Sequence, residues 1–128
     1  MQLSTSFAIR LVAALLLSTA PLASATIRKG TAHYDSGNQD QAVWIEGADP
    51  CQYTYMGPAT DNLCEYNGGQ FTATNGYTYR FVGCGGNNFS LLNSDSTPNS
   101  KGKSDSFRAA SNCNNNQGHY YVQAEWKF

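Results

Sequence analysis

The last eleven residues, GHYYVQAEWKF (Gly118–Phe128), alternate strictly. From Tyr120 onward every second side chain is apolar: Tyr120, Val122, Ala124, Trp126, Phe128. The interleaved row, His119, Tyr121, Gln123, Glu125 and Lys127, is polar or half-polar. A period of two over this length marks a half-buried strand, because successive side chains leave a strand on opposite faces. Such a strand needs a second layer to cover its apolar row. The rest of the chain offers only more of the same kind: KGTAHYD (29–35), QAVWIEG (41–47), CQYTYMG (51–57), QFTAT (70–74), YTYRFVGC (77–84), NFSLLNS (88–94) and SFRAAS (106–111). Gly, Asn, Asp and Pro punctuate these runs, no segment holds an apolar 3.6 period over three turns, and no internal repeat is present. The reading is all-β, a small antiparallel β-sandwich or β-barrel. The terminal apolar row is expected to face the Val43/Ile45 strand and one face of the 70–84 hairpin. The stretch 93–105, NSDSTPNSKGKSD, has no apolar residue and reads as a flexible polar loop.

Within 70–84, Asn75-Gly76 separates two β-rich runs and predicts a two-residue hairpin turn. Counting outward pairs Thr74 with Tyr77, Thr72 with Tyr79 and Gln70 with Phe81. That register puts Tyr77, Tyr79 and Phe81 on one face and Phe71, Ala73 and Val82 on the other.

Residues 1–25 carry one basic residue (Arg10), the apolar run LVAALLL and an Ala23-x-Ala25 cleavage signal, the layout of a secretory signal peptide. The apolar run is well short of the ~20 residues a spanning helix needs, so no membrane span is expected. The mature chain would begin at Thr26, or at Gly30 if trimming follows Arg28-Lys29, and residues 26–128 suffice for one domain. All four cysteines, Cys51, Cys64, Cys84 and Cys113, lie there and imply two disulfides in an exported chain. Four cysteines allow three pairings and the sequence does not choose among them; the expectation leans to Cys51–Cys64 and Cys84–Cys113, the first closing a short loop through Gly57-Pro58. Asn88-Phe89-Ser90 is an N-glycosylation sequon beside a turn.

Charge narrows the partners. Residues 26–128 hold seven Lys/Arg against nine Asp/Glu, a net of −2 with His neutral. No basic stripe is present to neutralise phosphates, so double-stranded nucleic acid is not an expected partner. The same balance disfavours a membrane-active antimicrobial or killer-type toxin, which meets anionic lipid with positive charge. No CxxC or CxH spacing suggests a metal, and no cofactor motif occurs. No G-x-S-x-G elbow is present for a serine nucleophile. Glu46, Asp49, Asp61 and Glu65 could supply a glycosidase pair, but nothing fixes two of them across one cleft. The order His33, Glu46 or Glu65, Arg80 or Arg108, His119 allows an alternative, a small ribonuclease-like hydrolase with His33 and His119 as base and acid and Arg80 holding phosphate.

The tyrosines suggest a different use. Tyr53, Tyr55, Tyr77, Tyr79, Tyr120 and Tyr121 form a dense set for so small a domain, and an exposed row of them would make a platform for sugar rings or a protein partner. Tyr77, Tyr79 and Tyr121 are the candidate binding residues; the competing reading places most of these rings in the core.

In plan, the whole chain resembles the small cysteine-rich secreted proteins of filamentous fungi: leader, about a hundred mature residues, two disulfides and a Tyr/Asn/Gly-rich β-domain. The stretch GYTYRFVGCGGNNFSLL (Gly76–Leu92) is similar, more loosely, to the β-barrel mould-allergen family, although the cysteine spacing departs from that family and none of its residues is carried over. The resemblance implies an extracellular effector- or elicitor-like protein that acts by binding a host protein or glycan.

Overall fold

The computed structural model describes residues 25–128, so the expected signal peptide, residues 1–25, lies outside the described residues except for Ala25. The described residues form nine strands: β1 Ile27–Tyr34, β2 Gln39–Ile45, β3 Thr54–Pro58, β4 Gln70–Thr72, β5 Thr78–Val82, β6 Ser90–Asn93, β7 Pro98–Lys101, β8 Lys103–Asn115 and β9 Gly118–Lys127. They form two antiparallel sheets: a five-stranded sheet A in the order β3-β2-β1-β9-β8, and a four-stranded sheet B in the order β4-β5-β6-β7. The all-β reading with two disulfide staples holds. The polar stretch 93–105 differs from expectation: a tight turn at Asn93–Thr97 leads into β7, and β8 begins at Lys103. Backbone pairing across these strands does not require apolar side chains, which is why the pattern concealed them. Likewise β8 runs on through the polar residues Ser111–Asn115, and only Asn116-Gln117 turn the chain into β9.

The terminal strand does not serve one core. Gly30 pairs with Ala124 but Lys29 pairs with Trp126, so Glu125 is an extra residue, a bulge. A bulge shifts the side-chain alternation of everything beyond it. Tyr120, Val122 and Ala124 therefore enter one cluster, with Ala32, Tyr34, Ala42, Trp44 and Cys113. Phe128 enters another, with Ile27, Val43, Met56, Leu63, Phe71, Ala73, Tyr79, Phe81, Phe89 and Leu91; Trp126 is only half-buried beside it, edge-on to Phe89 at 5.1 Å. The second cluster is the interface between the sheets and is built around phenylalanine. The first is internal to sheet A. Its lid is the segment Cys51–Tyr53, reached by β8 through three register shifts that bend the strand.

The cysteines follow this division and correct the expected pairing. Cys51 bonds Cys113 across the curl of sheet A, and Cys64 bonds Cys84 beside the inter-sheet core. No cysteine is free. The short-loop pairing fails because residues 50–52 form a single helical turn on sheet A, capped by Asp49, whereas Cys64 sits at the edge of sheet B.

The β4–β5 hairpin is offset by one residue from expectation. Gln70 pairs with Arg80, Phe71 with Tyr79 and Thr72 with Thr78. Ala73 and Tyr77 then flank a three-residue loop in which the Gly76 N–H donates to the Ala73 carbonyl and Gly76 takes φ 85°. Asn-Gly serves this turn as well as the two-residue one, since both need positive φ at glycine. The slip moves Phe71 and Ala73 onto the Tyr79/Phe81 face, which is buried, and turns Val82 outward with Arg80 and Thr78.

Candidate functional site

His33, His119 and Tyr121 lie on the polar face of sheet A. His33 pairs with Tyr121 across β1 and β9 and stacks on it, centroids 4.6 Å apart and 11° from parallel. The Arg108 guanidinium covers the other side of the Tyr121 ring at 3.7 Å. His119 is held at both nitrogens, Nδ1 on Asp35 Oδ2 and Nε2 on Asn112 Oδ1, each at 3.0 Å. Lys29 Nζ donates to Glu125 Oε1 at 2.8 Å, and Thr31 Oγ1 donates to the same oxygen. Arg80 is elsewhere, on the outer face of sheet B, donating to Gln70 Oε1 at 3.1 Å. The structure thus gathers both histidines on one face with Arg108, not Arg80, and engages their rings with neighbours in the same sheet.

Most other tyrosines are structural. Tyr34 and Tyr53 share a hydroxyl–hydroxyl bond, Tyr53 donates to Asp40 Oδ2 at 3.1 Å, and Asn115 Nδ2 donates to Tyr34. Burial, then the hydrogen bond to Tyr34, pushes the Tyr53 phenol far up, so it stays protonated. Tyr120 donates to the Cys51 carbonyl at 2.6 Å, tying its ring to the disulfide lid.

The candidate site lies at one end of sheet B. The apolar face of β5 continues past the core to Tyr77, 43% exposed, while Tyr79 one step inward is buried. With Asn93, Ser94, Asp95, Pro98 and Asn99 these two rings line an open cleft of about 460 Å³. The cleft is ordered by its own side chains. Asn99 Nδ2 donates to Asn93 Oδ1 at 2.8 Å, Asn93 Nδ2 to Thr97 Oγ1 at 3.1 Å, and Asn75 Nδ2 to Tyr79 Oη at 3.2 Å. Asp95 Oδ1 accepts from the Thr97 hydroxyl and its N–H, which holds the Asp95 carboxyl below its ordinary range, the hydroxyl bond being the larger cause. Tyr77 and Tyr79 were named from sequence; Asn93, Asp95 and Asn99 were not. The available signal was Asp95-Ser96-Thr97 ahead of Pro98, a side-chain-capped turn rather than a featureless loop.

A second cleft, about 270 Å³, opens between the sheets and is lined by Val43, Ile45, Phe71 and Ala73 together with Gln52 and Thr74. No group of three or more His, Cys, Asp or Glu among the described residues could hold a metal ion. No protein-family model matches this chain, and no curated protein or solved structure matches it either.

Proposed function

We propose that this is a secreted recognition protein that acts by binding, and that its ligand is a glycan held in the Tyr77 cleft. The observation that carries the reading is an exposed tyrosine ring set beside an ordered carboxylate–amide network. A sugar presents an apolar C–H face and a rim of hydroxyls. Tyr77 supplies a flat partner for the first, and Asp95, Asn93 and Asn99 supply fixed acceptors and donors for the second. Because the cleft is braced before the ligand arrives, little ordering entropy opposes binding.

Catalysis is the weaker reading on geometry. His119 has both nitrogens engaged, His33 is stacked face-on, Arg80 lies on the other sheet, and Arg108, which shares the face, is laid over the Tyr121 ring. Secretion is part of the proposal: the leader and the two disulfides support it. N-glycosylation is too. Asn88 is exposed in the β5–β6 turn, at the end of sheet B remote from Tyr77, where an attached glycan leaves the cleft open.

The test is a glycan array probed with the purified secreted protein, together with an RNA-cleavage assay. Saturable binding to a defined glycan set, with RNA left intact, is the expected result. RNA cleavage that disappears in His119→Ala would overturn the binding reading in favour of a hydrolase.

A further inference from the structure

Tyr55 and Tyr66 are the other exposed tyrosines, at 44% and 38%. They stand together: centroids 5.6 Å apart, planes at 85°. Exposed aromatic rings that pack on each other at a right angle form a corner open to solvent, and exposed apolar clusters of this kind commonly mark interaction sites.

The corner is rigid. Tyr55 stands on β3, at the edge of sheet A. Tyr66 opens the short helical turn Tyr66–Gly69, two residues after Cys64, which the disulfide ties to Cys84. The Tyr66 side chain packs against Gly57, whose φ is 93°; a Cβ there would meet Tyr66 Cδ2 at 2.9 Å. Glycine alone allows both that backbone and that ring position.

Its surroundings are negative. Tyr66 forms one wall of an open hollow shared with Thr60, Asp61, Asn62, Glu65 and Asn67. Elsewhere Glu46, Asp105 and Glu125 each meet a cation, but among the described residues Asp61 and Glu65 enter no salt bridge. The Tyr55 phenol is pushed up, first by burial and then by Asp40, Tyr66 and Asp61, so those charges bear on the ring pair. Negative ring faces beside carboxylates without a cation have one natural complement, an ammonium group, which two orthogonal rings can face at once.

We propose that Tyr55 and Tyr66 form a two-walled seat for the side-chain ammonium of a lysine, plain or methylated, on a partner protein. The seat is independent of the glycan cleft, which lies beyond the far end of β4, past the β4–β5 loop. Lysine on a partner fits better than a free metal ion, because the rings attract a soft alkylated cation and no group of three or more His, Cys, Asp or Glu among the described residues could hold a metal.

The experiment is an NMR titration of the full mature protein with three probes: N-acetyl-lysine methylamide, its Nε-trimethyl form, and the neutral isostere carrying tert-butyl in place of trimethylammonium. Both cations should move the Tyr55 and Tyr66 ring resonances, with millimolar dissociation constants at least about tenfold tighter than the isostere. Tyr66→Ala should abolish the response, Tyr66→Phe should keep it within about threefold, and Asp61→Asn should weaken it about threefold. Tyr77→Ala should leave it unchanged. If Tyr66→Ala does not fold, the Tyr66→Phe and Asp61→Asn pair still decides. Equal binding of the isostere would overturn the proposal in favour of a merely apolar patch. No shift with either cation would overturn it outright, and so would binding to phosphatidylcholine vesicles without any response to the lysine probes.

Discussion

Sheet A and sheet B solve the same problem in different ways. Sheet A curls, through the Glu125 bulge and three irregularities of β8, and encloses a core of its own made of alanines, Trp44 and hydrogen-bonded tyrosines under the Cys51–Cys113 lid. Its polar face is consumed internally: the His33–Tyr121–Arg108 stack, the His119 clamp and the Lys29–Glu125 pair all find their partners within the sheet. Sheet B is short, leans on sheet A through Phe71, Phe81 and Phe89, and runs out past the core to an open cleft at Tyr77. The difference teaches where to look for function. A surface rich in His, Arg and Tyr can be stacked and bonded largely onto itself, while a polar turn braced by its own hydrogen bonds can still leave one ring, Tyr77, open beside it.

The contrast can be broken most forcefully at Phe81. Its ring is 1% exposed and touches Phe71, Phe89 and Phe128, so it is the hinge between the sheets. Phe81→Ala should cost about 3–5 kcal/mol, read by urea denaturation. A loss near 1 kcal/mol would mean that sheet B does not depend on this core.

The disulfides come next. Cys51–Cys113 closes a separation of 62 residues and Cys64–Cys84 one of 20. Chain entropy assigns about 4 kcal/mol to the first and about 3 kcal/mol to the second. Replacing both cysteines of each bridge by serine should therefore lower the melting temperature more for the sheet A bridge. Peptide mapping of the unreduced protein checks the pairing itself: a Cys51–Cys64 peptide would contradict the two-core division.

Much of this was legible in the residues, and the misses share one cause. Period two in Gly118–Phe128 and Asn-Gly in the hairpin identified the strands and the turn. Neither could show that Glu125 is one residue too many, or that the loop holds three residues rather than two, because a single inserted residue leaves the local pattern intact while exchanging the faces. The tyrosines divided for a related reason. Tyr120 goes inside as its place on the apolar row indicates, its hydroxyl on the Cys51 carbonyl, while Tyr53, a member of the same tyrosine set, is drawn in by the Tyr34 hydroxyl. The cleft was hidden because Asn93, Asp95 and Asn99 are turn-forming letters whose second role arises only when β6 and β7 bring them beside Tyr77.

Smaller effects sharpen the same contrast. Tyr121→Ala removes one stacked histidine and one guanidinium contact on a partly solvated face, and should cost about 1 kcal/mol of stability. Glycan binding should not change. A large loss of binding in this variant would return function to sheet A.

Acid separates the sheets through two carboxyls. Glu46, on sheet A, is held below its usual range chiefly by the hydrogen bond from Arg28, and Asp95, on sheet B, by Thr97. A depressed folded-state value adds stability at higher pH that is lost as pH falls through that value. The melting temperature should be level from neutral pH to about 5 and decline below about pH 4. Glu46→Gln should flatten that decline. Asp95→Asn should flatten it too, and should also weaken glycan binding, which Glu46→Gln should leave unchanged.

The most direct test compares Tyr77→Ala with Tyr121→Ala, each titrated with the glycan selected by the wild-type protein. Tyr77→Ala should retain the wild-type melting temperature within the range of an exposed substitution, about 1 kcal/mol, and lose at least about tenfold in affinity, or roughly 1.4 kcal/mol. Tyr121→Ala should bind as the wild type does. Undiminished affinity in a folded Tyr77→Ala protein would contradict the assignment of recognition to this end of sheet B.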